Sequence, residues 1–224
     1  MACTVPSPRE PADSTRTITG SARTGSGSGS TDSTLHWYES RLGWAAVAGP
    51  PVRLLTGLRF DVLDLPSDAG FALLRRTPVT GPVALEGSRV RLLVAAGSAD
   101  ELPGLLDWLE WGGIALDLTA MGAGGLIGAP VPPGLRGAQG AARWLRPPGP
   151  GRDVEPALPV FSRFGERGGA PDLVRLVEAA ATECHRARMV RIAAAFRGAP
   201  PGARTTVVRG ANPGPPGNQP LAFS

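Results

Sequence analysis

Arg89 and Arg91, two residues apart, are the first residues of this chain whose type and spacing suggest chemistry. They alternate with Val90, Leu92 and Val94, so on a strand both guanidinium groups share one face and the apolar side chains the other. A guanidinium is a planar fork of N–H donors that matches the oxygens of phosphate or carboxylate in pairs. The two arginines are therefore candidates for holding nucleotide or nucleic-acid phosphate, and the plainer alternative is a solvated outer face. All 23 basic residues of the chain are arginine and the net charge is +4, which permits a nucleic-acid partner, with a GC-rich coding bias as the plainer explanation. Arg186, Arg188, Arg191 and Arg197 crowd the end of the last expected helix, either as a nucleic-acid patch or as charge favourable near a helix C-terminus. Trp108 and Trp111 could stack bases, but three residues apart on a helix they are expected to pack into the core. Gly122 to Gly125 has no following lysine or hydroxyl residue at phosphate-loop spacing and reads as a turn. The two histidines, His36 and His185, are too scattered to build a Ser/His/Asp arrangement.

The elements that must position these residues follow from periodicity. Leu35, Tyr38 and Leu42 mark a short helix capped at Ser33 or Thr34 and ended by Gly43. Segments 52–55 and 59–65 read as strands joined in a hairpin at Thr56-Gly57, and Ser67 is expected to cap a helix running to about Arg76. Segments 83–85 and 89–95 form a second hairpin across Glu86-Gly87-Ser88. The helix expected over 99–111 has Leu102, Leu105, Leu106 and Leu109 on one stripe; either Ser98 or Asp100 caps it, and Asp100 places Pro103 harmlessly in the first turn. A third hairpin is expected from 114–118 through Gly122–Gly125 to 126–129, then loop with one anchored piece at 141–145. A last helix runs from about Pro171 to Phe196.

The resulting fold class is α+β: antiparallel sheets built from hairpins and covered by helices. A chain of 224 residues with 31 glycines and 24 prolines fits one domain, 34–197, between a Ser/Gly-rich tail, 1–33, and a Pro/Gly-rich tail, 198–224. Two cysteines make neither a disulfide framework nor a zinc spacing, no apolar run reaches membrane length, and no basic-then-apolar leader is visible. A cytoplasmic protein with no membrane partner is the expectation.

Three segments sharpen the reading: Phe60-Asp61-Val62-Leu63-Asp64-Leu65-Pro66, then Gly81-Pro82-Val83 through Arg89-Val90-Arg91-Leu92-Leu93-Val94, then Leu116-Asp117-Leu118 followed by Gly122 to Pro130. Over about Trp37 to Leu145 the chain resembles the N-terminal domain of bifunctional DNA primase/polymerases, of the archaeo-eukaryotic primase superfamily. The resemblance implies nucleotidyl transfer, in which carboxylates hold two divalent cations against the attacking and leaving oxygens. The family's first motif has two acids one residue apart; here Asp64 is followed at that spacing by Pro66, and Asp61, three residues back, falls on the opposite strand face. The histidine of its second motif is replaced by Val90 or Arg91, and the acid of its third motif is kept as Asp117. Asp64 and Asp117 are thus the pair implied to hold Mg²⁺ or Mn²⁺, weakly, with strand-end acids as the structural alternative. The expectation is a primase/polymerase-like domain that has lost part of its catalytic set and binds nucleotide or nucleic acid. The alternatives are an active metal-dependent primase/polymerase with Asp61 or Glu86 as a third acid, and a non-catalytic protein-interaction scaffold.

Overall fold

A computed structural model describes residues 28–77, 81–149, 151, 153–161 and 172–198. Most of the two expected tails, 1–27 and 199–224, and Pro171 lie outside them. The described chain begins with helix α1 (Ser28–Trp37), which runs on through a π-helical turn, Tyr38–Leu42, to Gly43 at φ 66°. The helix starts earlier than expected, so Ser33 and Thr34 do not cap it; their hydroxyls donate to the carbonyls of Gly29 and Ser30 at 2.7 and 2.9 Å. The expected spacing does serve the core, since Tyr38 and Leu42 are buried and Leu35 packs beside them.

The strands are β1 (Ala46–Val47), β2 (Arg53–Leu55), β3 (Asp61–Pro66), β4 (Val83–Glu86), β5 (Arg89–Val94), β6 (Thr119–Met121), β7 (Leu126–Gly128) and β8 (Arg143–Arg146). The helices that follow α1 are α2 (Ser67–Arg76), α3 (Ser98–Trp108) and α4 (Leu173–Gly198). Two antiparallel sheets result, a small one ordered β1-β2-β7 and a larger one ordered β6-β3-β5-β4-β8. The run β3-α2-β4-β5-α3-β6 with its fourth strand beside the first and its third between first and second is the split βαβ plan. The protein is α+β, as its alternating strand pattern implies.

Period-two alternation places the larger sheet between two cores. Leu63 and Leu65 of β3, Val90, Leu92 and Val94 of β5, and Val83 and Leu85 of β4 face the helices, meeting Leu73, Leu102, Leu105, Val177 and Cys184. Val62 and Leu93, of opposite parity, join Tyr38, Trp44, Leu54, Phe60 and Ile127 on the side of the small sheet. Arg89 and Arg91 have the parity of Leu93, and Asp64 that of Val62, so all three belong to the second side.

Two of the three expected hairpins are not hairpins. β2 pairs with β1 and β7, β3 pairs with β5 and β6, and β6 and β7 lie in different sheets. Both connections instead carry the chain from one sheet to the other, and they cross at one point. Thr56 N donates to Gly125 O at 3.0 Å and its hydroxyl to Gly122 O at 2.5 Å. Gly57, at φ 88°, lies so close to Ala123 that a Cβ there would stand 2.2 Å from its Cα. The expected strand at 114–118 is also absent: Leu116 and Leu118 are buried, but Asp117 between them has φ 57°. The β4–β5 hairpin forms as expected. Ser67 opens α2 without a capping bond; Asp68 Oδ1 accepts from Ala69 N at 2.8 Å instead.

Helix α3 starts at Ser98, with Gly97 at φ 89° before it, rather than after Asp100, so Pro103 sits inside the helix. The cap comes from elsewhere in the chain: Asp61 Oδ2 accepts from Ala99 N at 2.8 Å. Of its expected stripe Leu102 and Leu105 are buried, while Leu106 and Leu109 pack partly buried against the core. Trp111 is also partly buried, 5.7 Å from the His185 ring, whereas Trp108 is 67 % exposed and does not pack as expected.

Candidate functional site

The sequence-derived site residues come together at one end of the larger sheet. Strand β3 lies between β6 and β5, so Asp64 has Thr119 across one ladder and Arg91 across the other, and Arg89 is paired with Pro66. Asp117 lies two residues before β6 and enters from the same edge. Its left-handed backbone, which an aspartate tolerates better than most side chains, turns the chain out of the core between Leu116 and Leu118.

Arg89 fills the space between the two acids. Its Nε donates to Asp64 Oδ1 at 2.7 Å and its Nη1 to Asp117 Oδ1 at 2.8 Å, while Nη2 reaches the carbonyls of Asp64 and Asp117 at 3.1 and 3.3 Å. Burial alone would lower the Arg89 value, but the bonds and charges of the two acids outweigh it and raise it above the ordinary arginine range. The side chain of Asp64 is 14 % exposed and that of Asp117 55 %, so one acid is held inside the cluster and the other at its rim.

Arg91 completes the network from the middle of β5. Its Nη1 donates to Glu86 Oε2, and its Nε lies 3.8 Å from Asp64 Oδ2, an ion-pair contact too long for a hydrogen bond. Burial pulls Arg91 below the ordinary arginine value, and Asp64 restores only part; it remains a cation at neutral pH. Glu86 in turn lies against β7, where a Cβ on Gly128 would come within 2.5 Å of its Oε1, so the carboxylate would have to shift to admit a larger residue there. On the far side Arg191 of α4 donates to Asp68 at 2.7 Å and stands 4.0 Å from Asp117.

The arginines therefore do not form the solvated face that the sequence suggested as their plainer alternative; they are paired with carboxylates and partly buried. Asp64 and Asp117 do converge, as partners of one guanidinium. The two other acids considered as a third ligand are turned to different tasks. Asp61 caps α3 on the helix side of the sheet, and Glu86 binds Arg91. Among the described residues no group of three His, Cys, Asp or Glu gathers as a metal site. The donor set does not fit a pair of divalent cations, because its two converging carboxylates already coordinate a fixed cation and Pro66 stands where a further acid would be needed. Gly122–Gly125 is a turn, closed by Gly125 N to Gly122 O at 3.0 Å, at the sheet crossing.

Sequence reasoning missed a second charged group. Glu183 of α4 is buried and accepts from Arg76 Nη1 of α2 at 2.8 Å and from Arg186 Nη1 at 2.6 Å, both on Oε1. The i,i+3 spacing of Glu183 and Arg186 was a visible signal; Arg76, 107 residues from Glu183 in the chain, was not. Much of the Arg-rich end of α4 is likewise tied to the domain, through Arg186 to Glu183, Arg188 to the Ala115 carbonyl and Arg191 to Asp68.

No family model matches this chain, and neither a curated protein nor a solved structure matches it. Among the described residues no helix is long and apolar enough to cross a membrane.

Proposed function

We propose that this chain is a primase/polymerase-like domain that has given up nucleotidyl transfer and binds nucleotide or nucleic acid through its arginines. The observation that carries the reading is the guanidinium of Arg89 lying between Asp64 and Asp117, with two hydrogen bonds to their carboxylates and two longer ones to their carbonyls. Two-metal transfer uses carboxylates to gather cations around the triphosphate. Here the carboxylates are neutralised from within the fold, by a cation that supplies no open coordination position for substrate. The resemblance itself is supported by placement, because its three motifs fall on β3, β5 and the entry to β6, which lie side by side in the order β6-β3-β5. A cytoplasmic location, with Cys184 as a free thiol, belongs to the same proposal.

Primer extension tests it. With Mg²⁺ or Mn²⁺ and all four dNTPs the purified chain should stay at background, and Asp64→Ala and Asp117→Ala should change stability and no rate. Template-dependent synthesis that both substitutions abolish would refute the reading and restore the active-enzyme alternative. DNA affinity, measured alongside, should fall steeply with added salt because it comes from arginine contacts to phosphate.

The scaffold alternative is favoured by one observation: beyond Met189 helix α4 is exposed, with Val190 65 %, Ile192 38 % and Phe196 79 % open to solvent. A chain that binds no DNA or nucleotide at any salt concentration, yet is stably folded, would decide for it.

A further inference from the structure

Arg89 and Arg91 give their hydrogen bonds to Asp64, Asp117 and Glu86, so an incoming phosphate would have to displace carboxylates from them. Arg76 and Arg186 differ. They come from two helices, α2 and α4, and meet on a single carboxylate oxygen of Glu183, which places two like charges within one anion's width of each other. Glu183 is buried, and burial would raise its carboxyl; the bonds from the two arginines outweigh this and hold it below the ordinary range, so it is anionic and locks both guanidinium groups in place. Two cations on one anion leave a local excess of positive charge. Both arginine side chains are 58 % exposed, and among the described residues neither has another hydrogen-bond partner. Each uses one nitrogen of a five-donor fork on Glu183 and keeps the rest.

The two arginines and Glu183 line one cleft between α2 and α4, of about 570 Å³, which Ala72, Ala187 and Val190 wall on the apolar side. That volume suits a small molecule rather than a macromolecular groove, and a few convergent polar groups on an apolar wall are what such sites need. Asp68, also at the cleft, is taken up by Arg191 at 2.7 Å. A phosphomonoester carries between one and two negative charges at neutral pH and three acceptor oxygens, enough for both forks at once. We propose that this cleft binds a phosphomonoester of nucleotide size, with Arg76 and Arg186 gripping the phosphate and Glu183 as their positioning residue. The proposal rests on the binding half of the reading above and is independent of the primase/polymerase resemblance.

Calorimetric titration of the full chain tests it, with inorganic phosphate, a nucleoside 5′-monophosphate and the matching nucleoside as probes. The monophosphate should bind, inorganic phosphate should compete with it, and the nucleoside should give no heat. Removing both arginines would strand buried Glu183 and could unfold the chain, so the discriminating variant is R76K/R186K. It keeps both charges and a partner for Glu183 but loses the forks, and should bind the monophosphate about tenfold more weakly with its melting temperature unchanged. Equal binding by that variant, equal binding of the nucleoside, or no binding of either phosphate probe overturns the site. An oligonucleotide with a 5′-hydroxyl separates the two claims. If it alone binds, and binds wild type and R76K/R186K alike, the nucleic-acid reading stands and this site falls.

Discussion

Arg89→Met is the substitution that the site geometry constrains most. It removes the guanidinium and its bonds to Asp64 and Asp117 while keeping a side chain of similar length. A hydrogen bond to a charged group contributes about 1.5–3 kcal/mol, but simple addition overstates the sum here. Asp117, 55 % exposed, returns to water at little cost, and Arg89 is itself 27 % exposed, so their pair is screened. Asp64 is the expensive loss. At 14 % exposure it keeps only Arg91, whose Nε is 3.8 Å away, and a largely buried carboxylate without a close partner is strongly unfavourable. The net cost should be about 2–3 kcal/mol, which for a domain of this size lowers the melting temperature by roughly 4–12 °C. Urea unfolding followed by tryptophan fluorescence measures it, and Asp64→Asn supplies the control. In a double-mutant cycle R89M and D64N should couple by about 1 kcal/mol or more, since each deletes the other's partner. If R89M changes stability by less than about 0.5 kcal/mol, or the cycle is additive, Arg89 does not hold the two acids and the reasoning fails.

Three further outcomes follow from the packing and charge. Cys184, whose thiol burial pushes up to about 12, should not react with a thiol reagent in the native chain once the other cysteine, Cys3, is replaced (Cys3→Ser), and should react fully once unfolded; native-rate labelling would contradict the packing of α4 on the sheet. Leu105→Ala should cost about 2–5 kcal/mol and Leu106→Ala clearly less, because the first is buried and the second only partly so. The Glu183 value is lowered by folding, so its stabilisation is present above the usual carboxylate range and is lost as pH falls through the lowered folded value. Wild type should therefore exceed E183Q by roughly 1–2 kcal/mol at neutral pH, after discounting the exposed arginines, and the gap should close in acid; a pH-independent gap would exclude the carboxylate as its source.

What the sequence disclosed was local. Alternation in β5 put Arg89 and Arg91 on one face, and the three-residue spacing of Asp61 and Asp64 put those acids on opposite faces; Asp61 does cap α3 on the helix side while Asp64 meets Arg89 on the other. The β4–β5 hairpin was legible because its turn and its pairing are contiguous. The other two expected hairpins failed for a shared reason. A tight glycine turn has the same sequence whether it folds a strand back on its neighbour or sends it to a second sheet. The choice was made by a contact between the two turns, Thr56 with Gly122 and Gly125, 66 and 69 residues on. The start of α3, expected near Ala99 with Ser98 or Asp100 as its cap, falls at Ser98, but its actual cap, Asp61, lies 38 residues before Ala99, where no local pattern could point to it. The site shows the same division. Asp64, Asp117, Arg89 and Arg91 were all nameable, but their mutual neutralisation depends on pairing across 25 and 28 residues.

Manganese binding tests most directly whether Arg89 stands where a divalent cation would. Electron paramagnetic resonance of Mn²⁺ titrated into the wild-type chain should show no bound fraction that D64N or D117N removes. Arg89→Ala, which uncovers the two carboxylates, should acquire one, and adding D117N to it should abolish that fraction again. Wild-type binding that is lost in both D64N and D117N would contradict the account, because Asp64 and Asp117 would then be serving a metal with Arg89 still in place.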